Sequence, residues 1–134
     1  MSQISQISLI ILAGEIIMIM MHIDSKEKSK VVTHIAANLG EKVKPIGYSD
    51  LNRTLMGLYT GKPVTKPIDL PPLYAMPELL VFAGMPEEKL DRFLEEYKKS
   101  GAEPVALKAV STMHNADWTV YELIEALKAE RASL

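Results

Sequence analysis

The chain has 134 residues, enough to bury a sizeable core, and its 48% hydrophobic and 24% charged residues match an ordinary globular protein. With 15 basic and 17 acidic residues the net charge is about −2, which gives no electrostatic ground for binding nucleic acid or an anionic membrane. The absence of cysteine excludes disulfides, thiolate chemistry and cysteine-based zinc sites, and it fits a reducing cytoplasm.

Residues 1–15 read as an apolar N-terminal arm or an extra strand. The run from Ile7 to Ile23 nearly reaches the roughly 20 residues that a membrane helix needs, but Glu15 near its middle would cost about 2.5–3.5 kcal/mol. A signal peptide needs a basic start, and the first lysine is Lys26, after the run. Ile16 to Ile23 instead reads as a strand covered on both faces. An unpaired Ile7 to Leu12 strand would aggregate, so it is expected to pair with a second copy at a sheet edge, giving a possible homodimer, or to fold back on its own chain as the alternative.

Asp24 and Glu27 have the spacing of a capping box. Val31, Val32, Ile35, Ala36 and Leu39 then line one helical face up to Gly40. Val43 to Ile46 reads as a short strand, and Pro45, which lacks a donor, sends it to an edge. Ser49 is the expected cap of a second helix, with Leu51, Leu55, Leu58 and Tyr59 as its stripe and Gly61 as its stop. These elements make a first β-α-β-α half over residues 16–61. Five prolines between residues 62 and 77 rule out a helix or a central strand, so this stretch is an ordered connector.

Residues 78–134 repeat the plan. Glu78 to Ala83 is a strand ended by Gly84, and Pro86 with Glu87 and Glu88 opens a helix. Leu90, Phe93, Leu94 and Tyr97 form its buried stripe, and Gly101 ends it. Val105 to Val110 is the fourth strand. Thr119 and Glu122 form a second capping box, with Val120, Leu123, Ile124 and Leu127 facing the core. The alternation predicts a single α/β domain, a small mostly parallel sheet with helices packed on it, and a ferredoxin-like α+β arrangement is the alternative.

Leu80-Val81-Phe82-Ala83-Gly84, then Glu87 to Leu94, then Leu107-Lys108-Ala109-Val110 with Asn115 and Trp118, resembles an uncharacterised prokaryotic family, the domain-of-unknown-function family 3783. The resemblance spans residues 78–130, and Asn52-Arg53-Thr54-Leu55 before Gly57 carries a weaker likeness over residues 16–61. It implies a small intracellular domain and supplies no activity.

The richest polar segment follows the fourth strand. Lys108 interrupts an apolar run, so its stem packs while its head reaches water, or it offers an ammonium to an anion. Thr112, His114 and Asn115 follow within one loop. His114 reads as an exposed loop residue or a general base, and Asn115 as a turn former through side chain to backbone bonds. Trp118 before the Thr119 cap reads as a hydrophobic staple. His22, His34 and His114 lack metal spacing, so no metal or cofactor is expected. No phosphate-binding glycine loop or nucleophile elbow occurs. Two functions follow. One is a binding or interaction module with a rim of Gly84, Lys108, Thr112, His114 and Asn115, joined by Tyr48 and Asn52, for a small anion or a partner beyond the strand ends. The other is a hydrolase or transferase with His114 as general base and Lys108 as anion stabiliser. A pocket shared by His114 and Lys108 would favour the enzyme.

Overall fold

A computed structural model describes residues 19–112 and 114–132. The expected arm over residues 1–15, and with it the basis for N-terminal homodimer pairing, lies outside them. The elements are β1 (Ile19–His22), α1 (Lys26–Asn38), β2 (Val43–Pro45), a 3-10 turn (Tyr48–Asp50), α2 (Leu55–Thr60), β3 (Leu79–Ala83), α3 (Glu87–Lys99), β4 (Leu107–Ser111) and α4 (Val120–Ala132). No helix among the described residues is long and apolar enough to cross a membrane.

The four strands form one sheet in the order β2-β1-β3-β4. β1 pairs in parallel with β2, and β3 in parallel with β4, each across its own crossover helix. The central pair is antiparallel, with Met20 opposite Val81 and Met21 opposite Leu80. The sheet is therefore mixed, not mostly parallel as expected. The rule that a strand-helix-strand unit runs parallel applies within each half. From β2 to β3 the chain runs through α2 and then the proline-rich connector, which brings β3 in beside β1 running the other way. The ferredoxin-like alternative does not apply either, because helices cover both faces.

Strand alternation explains the three layers. Ile19, Met21, Leu80 and Phe82 point to one face and pack with Val32 and Ile35 of α1 and Phe93 and Tyr97 of α3. Phe82 and Phe93 meet edge to face at 5.0 Å between ring centres. Met20, Leu79, Val81, Ala83 and Leu107 point to the other face, against Leu55, Leu58 and Tyr59 of α2 and Val120, Leu123 and Ile124 of α4. β1 and β3 are buried on both faces, which is why their sequences are continuously apolar. Ile68, Leu70, Tyr74 and Met76 of the connector close the second core from outside.

Two helix starts differ from expectation. Ser25, not Asp24, caps α1, accepting from Lys28 N at 3.2 Å. Thr54, not Ser49, caps α2, accepting from Gly57 N at 3.1 Å. Residues 48–50 instead form a tight turn because the Asp50 carboxylate accepts from Gly47 N at 2.9 Å. Gly57 has to be glycine for space: a Cβ there would lie 2.9 Å from both Lys62 O and Thr54 Oγ1.

The halves are related by an approximate two-fold axis normal to the sheet between β1 and β3. Thr54 and Thr119, the residues just before α2 and α4, face each other in an isolated antiparallel bridge. Around them Leu55 N donates to Trp118 O at 2.9 Å, and Val120 N donates to Arg53 O at 3.0 Å. Met56 N to Ala116 O and Tyr121 N to Leu51 O repeat the exchange one step out, at a constant sequence offset between the halves. The same offset relates Asp50 to Asn115, whose Oδ1 accepts from Thr112 N at 2.8 Å.

Candidate functional site

The rim expected from the sequence is divided by the antiparallel centre. β2 and β4 end at opposite edges of the sheet, so Tyr48 lies away from Gly84 and the loop after β4. Burial, then the nearby Glu125 and Tyr121, push the Tyr74 pKa up to about 12, and Tyr48 adds the smallest push, so the Tyr48 hydroxyl faces the Tyr74 region instead. Asn52 lies on the path back to the Thr54 bridge, and its carbonyl accepts from Lys66 N at 2.9 Å. Gly84 ends β3 with φ 63°, in the left-handed region.

The loop after β4 is occupied with holding itself together. Asn115 Oδ1 accepts from Thr112 N and, at 3.2 Å, from the Ser111 hydroxyl, and its amide nitrogen donates to Val110 O at 3.4 Å. Ser111 is buried and bonds the Tyr59 hydroxyl of α2, tying β4 to that helix. Burial pushes the Tyr59 hydroxyl above its ordinary pKa, and the Ser111 bond opposes the shift. Thr112 Oγ1 accepts from His114 N at 3.2 Å. His114 is exposed. Asn115 is thus a turn former, the role that Asp50 plays in the first half. Trp118 is 37% exposed, and its backbone serves the central bridge.

Lys108 belongs to a different surface. Ser111 and Leu107 turn to the α2/α4 face, so by alternation Lys108 and Val110 turn to the α1/α3 face. α3 does not reach out over them: Val110 is 46% exposed. A groove of about 310 Å³ opens between α3, the loop after it and β4. Its apolar floor and walls include Leu80, Phe93, Leu94, Tyr97 and Pro104, and its charged lining is Lys98 and Lys108, with no carboxylate. His114 does not line it. The Tyr97 hydroxyl donates to Glu103 O at 2.6 Å and pins the loop that forms one wall. Burial raises the Tyr97 pKa, and Lys28 nearby pulls it back down. Lys98 and Lys108 form no ion pair among the described residues, whereas Lys28, Lys66, Lys89, Lys99 and Lys128 all do.

The sequence pointed to Lys108 but missed the groove. Lys98 was not among the expected site residues and Leu94 read as core, yet Leu94 is 39% exposed at the groove lip. One signal could have found it. Leu94 follows Phe93 directly and so sits about 100° round the helix from it, and Pro104 places an apolar residue in the next loop. Among the described residues no group of three or more His, Asp or Glu could hold a metal ion.

Residues 78–134 match the family model of a domain of unknown function, DUF3783. The resemblance read from the sequence over this stretch is borne out, and the match does not extend to residues 16–61. It takes in β3, α3, β4 and α4, so it contains the whole groove and leaves out Tyr48 and Asn52. No curated protein and no solved structure matches the chain.

Proposed function

We propose that the protein is a binding module whose α3–β4 groove receives an apolar side chain carried on an acidic chain segment. The observation that carries this reading is the lining: an apolar concavity that has, among the described residues, two unpaired lysines and no carboxylate. The apolar walls supply affinity by removing surface from water, and the lysines select the sign of the flanking charge. Among the described residues β4 pairs with β3 alone and so forms an edge of the sheet. β2, the other edge, is three residues long and carries Pro45, a device that blunts strand edges. Hydrolase or transferase chemistry gains no support, because Lys108 and His114 serve different surfaces.

The test is an NMR titration of the labelled protein with the acetylated peptide Asp-Glu-Leu-Glu-Asp. Shifts are expected in residues 93–108, and they should be largely lost in Lys98→Glu/Lys108→Glu. Equal shifts with Lys-Lys-Leu-Lys-Lys, or none in this region with the acidic peptide, would sink the reading.

A further inference from the structure

We infer that the partner is a second copy of this chain: the tip of the proline-rich connector, with Leu73 as its anchor, seats in the α3–β4 groove of a neighbouring molecule. This rests on the groove reading above and names its occupant.

Leu73 is 101% exposed, as open to water as in an extended peptide. It is also the sole non-glycine with positive φ among the described residues, at 57°. In that region the Cβ crowds a carbonyl oxygen, and glycine or asparagine would hold the same turn with less strain. An exposed leucine alone is ordinary on a protein surface. A leucine that is both strained and fully hydrated contributes nothing to its own fold, and strain of this kind gathers where function needs a fixed geometry.

The tip is also rigid. Pro71 and Pro72 precede Leu73, and Leu70 and Tyr74 on either side pack against the core. The Tyr74 ring meets Tyr121 edge-on at 5.3 Å, and the Lys128 ammonium lies 5.1 Å from the Tyr74 ring centre. A prefixed tip loses little freedom on docking.

Charge and place select the groove. From Pro67 to Glu88 the chain has no Lys or Arg, and the Lys128 that lies over Tyr74 is paired with Glu125 at 3.4 Å. Asp69, exposed near the tip, forms no ion pair among the described residues and would face Lys98 and Lys108 across the contact. The groove volume lies at the lower end of the roughly 300–1,000 Å³ typical of ligand sites, a size that suits an aliphatic side chain. The connector packs on the α2/α4 face and the groove opens on the α1/α3 face. The contact is therefore head-to-tail, each molecule offering one knob and one groove, and it propagates unless it closes into a ring.

Sedimentation velocity of the full chain tests this by complementation. The parent protein is expected to associate as concentration rises. Leu73→Gly, which keeps the groove, and Lys98→Glu/Lys108→Glu, which keeps the knob, should each associate at least tenfold more weakly. Mixed together, they should form a one-to-one dimer that grows no further. Leu73→Asn serves if the glycine variant folds poorly, and circular dichroism confirms the fold of each. Association of Leu73→Gly at the parental level, or a mixture that stays monomeric, overturns the inference. If Leu73→Gly still binds Asp-Glu-Leu-Glu-Asp in that case, the groove reading survives and its occupant is another protein. If the peptide binds neither protein, both fall.

Discussion

Thr119 is fully buried, yet every polar atom it offers is used. Its N–H and hydroxyl donate to Glu122 Oε1 at 3.0 and 3.1 Å, and its hydroxyl accepts from Glu122 N at 3.1 Å. These bonds start α4, and the same residue pairs with Thr54 on the two-fold axis. Thr119→Ala should cost about 1–2 kcal/mol, read as a lower midpoint in urea. The Thr119 N–H, together with Lys66 at 3.4 Å, holds the Glu122 carboxyl below its ordinary value of 4.5. A carboxylate depressed in the folded state stabilises it above the unfolded pKa and loses that contribution as pH falls through the folded value. Glu122→Gln should therefore melt below the parent at pH 7, and the gap should close below pH 4.5. A gap that does not narrow at all as pH falls below 4.5 would show that the loss is not electrostatic. This box was legible in the sequence because its spacing is local. The Asp50 turn was not, since Ser49 beside it gives an equally good local cap signal and only the Thr54–Thr119 bridge decides where α2 begins.

At the scale of elements, α3 is the clearest case of a pattern read well and a surface missed. Its strong amphipathic stripe placed Phe93 and Tyr97 in the core, as found. The sequence could not say that α3 stops short of β4, because that depends on the path of residues 100–106. Tyr97 fixes the path through its bond to Glu103 O. Tyr97→Phe removes that bond at a cost of about 0.5–1.5 kcal/mol and leaves the ring packing intact. The expected readout is local: faster amide hydrogen exchange in residues 101–105 and weaker binding of the acidic probe peptide, with α4 exchange unchanged. Uniform acceleration across the chain would mean that Tyr97 supports the whole core and not the groove wall. β2, β3 and β4 were legible to within two residues, since β3 is apolar on both faces and Pro45 marks β2 as an edge, while the start expected for β1 at Ile16 lies outside the described residues. Their direction was not, because antiparallel pairing of β1 and β3 is a contact between halves and leaves no periodic signature in either.

For the whole molecule the two-fold arrangement sets the folding unit. β3 contributes to both cores and has β1 along one edge from Leu79 to Phe82. The bridge at Thr54 and Thr119 places backbone donors of each half on carbonyls of the other. Lys28 at the start of α1 reaches Glu78 before β3 at 2.8 Å, and both side chains are mostly buried. That bond raises the Lys28 pKa against the opposing cost of burial. The family match covers residues 78–134, yet this half lacks β1, the covering helix α1 and half of the central bridge. Cut from the chain, it would expose one edge and part of both faces of β3 and leave the Leu55 and Met56 acceptors, Trp118 O and Ala116 O, without partners. A fragment of residues 78–134 is therefore expected to show no cooperative thermal transition as a monomer. Adding a fragment of residues 1–77 should restore one, with a midpoint that rises with concentration as mass action requires. A monomeric 78–134 fragment that melts cooperatively would show instead that β3 and its two helices form a stable core alone, and the axis between the halves would then be a docking surface rather than part of the folding nucleus.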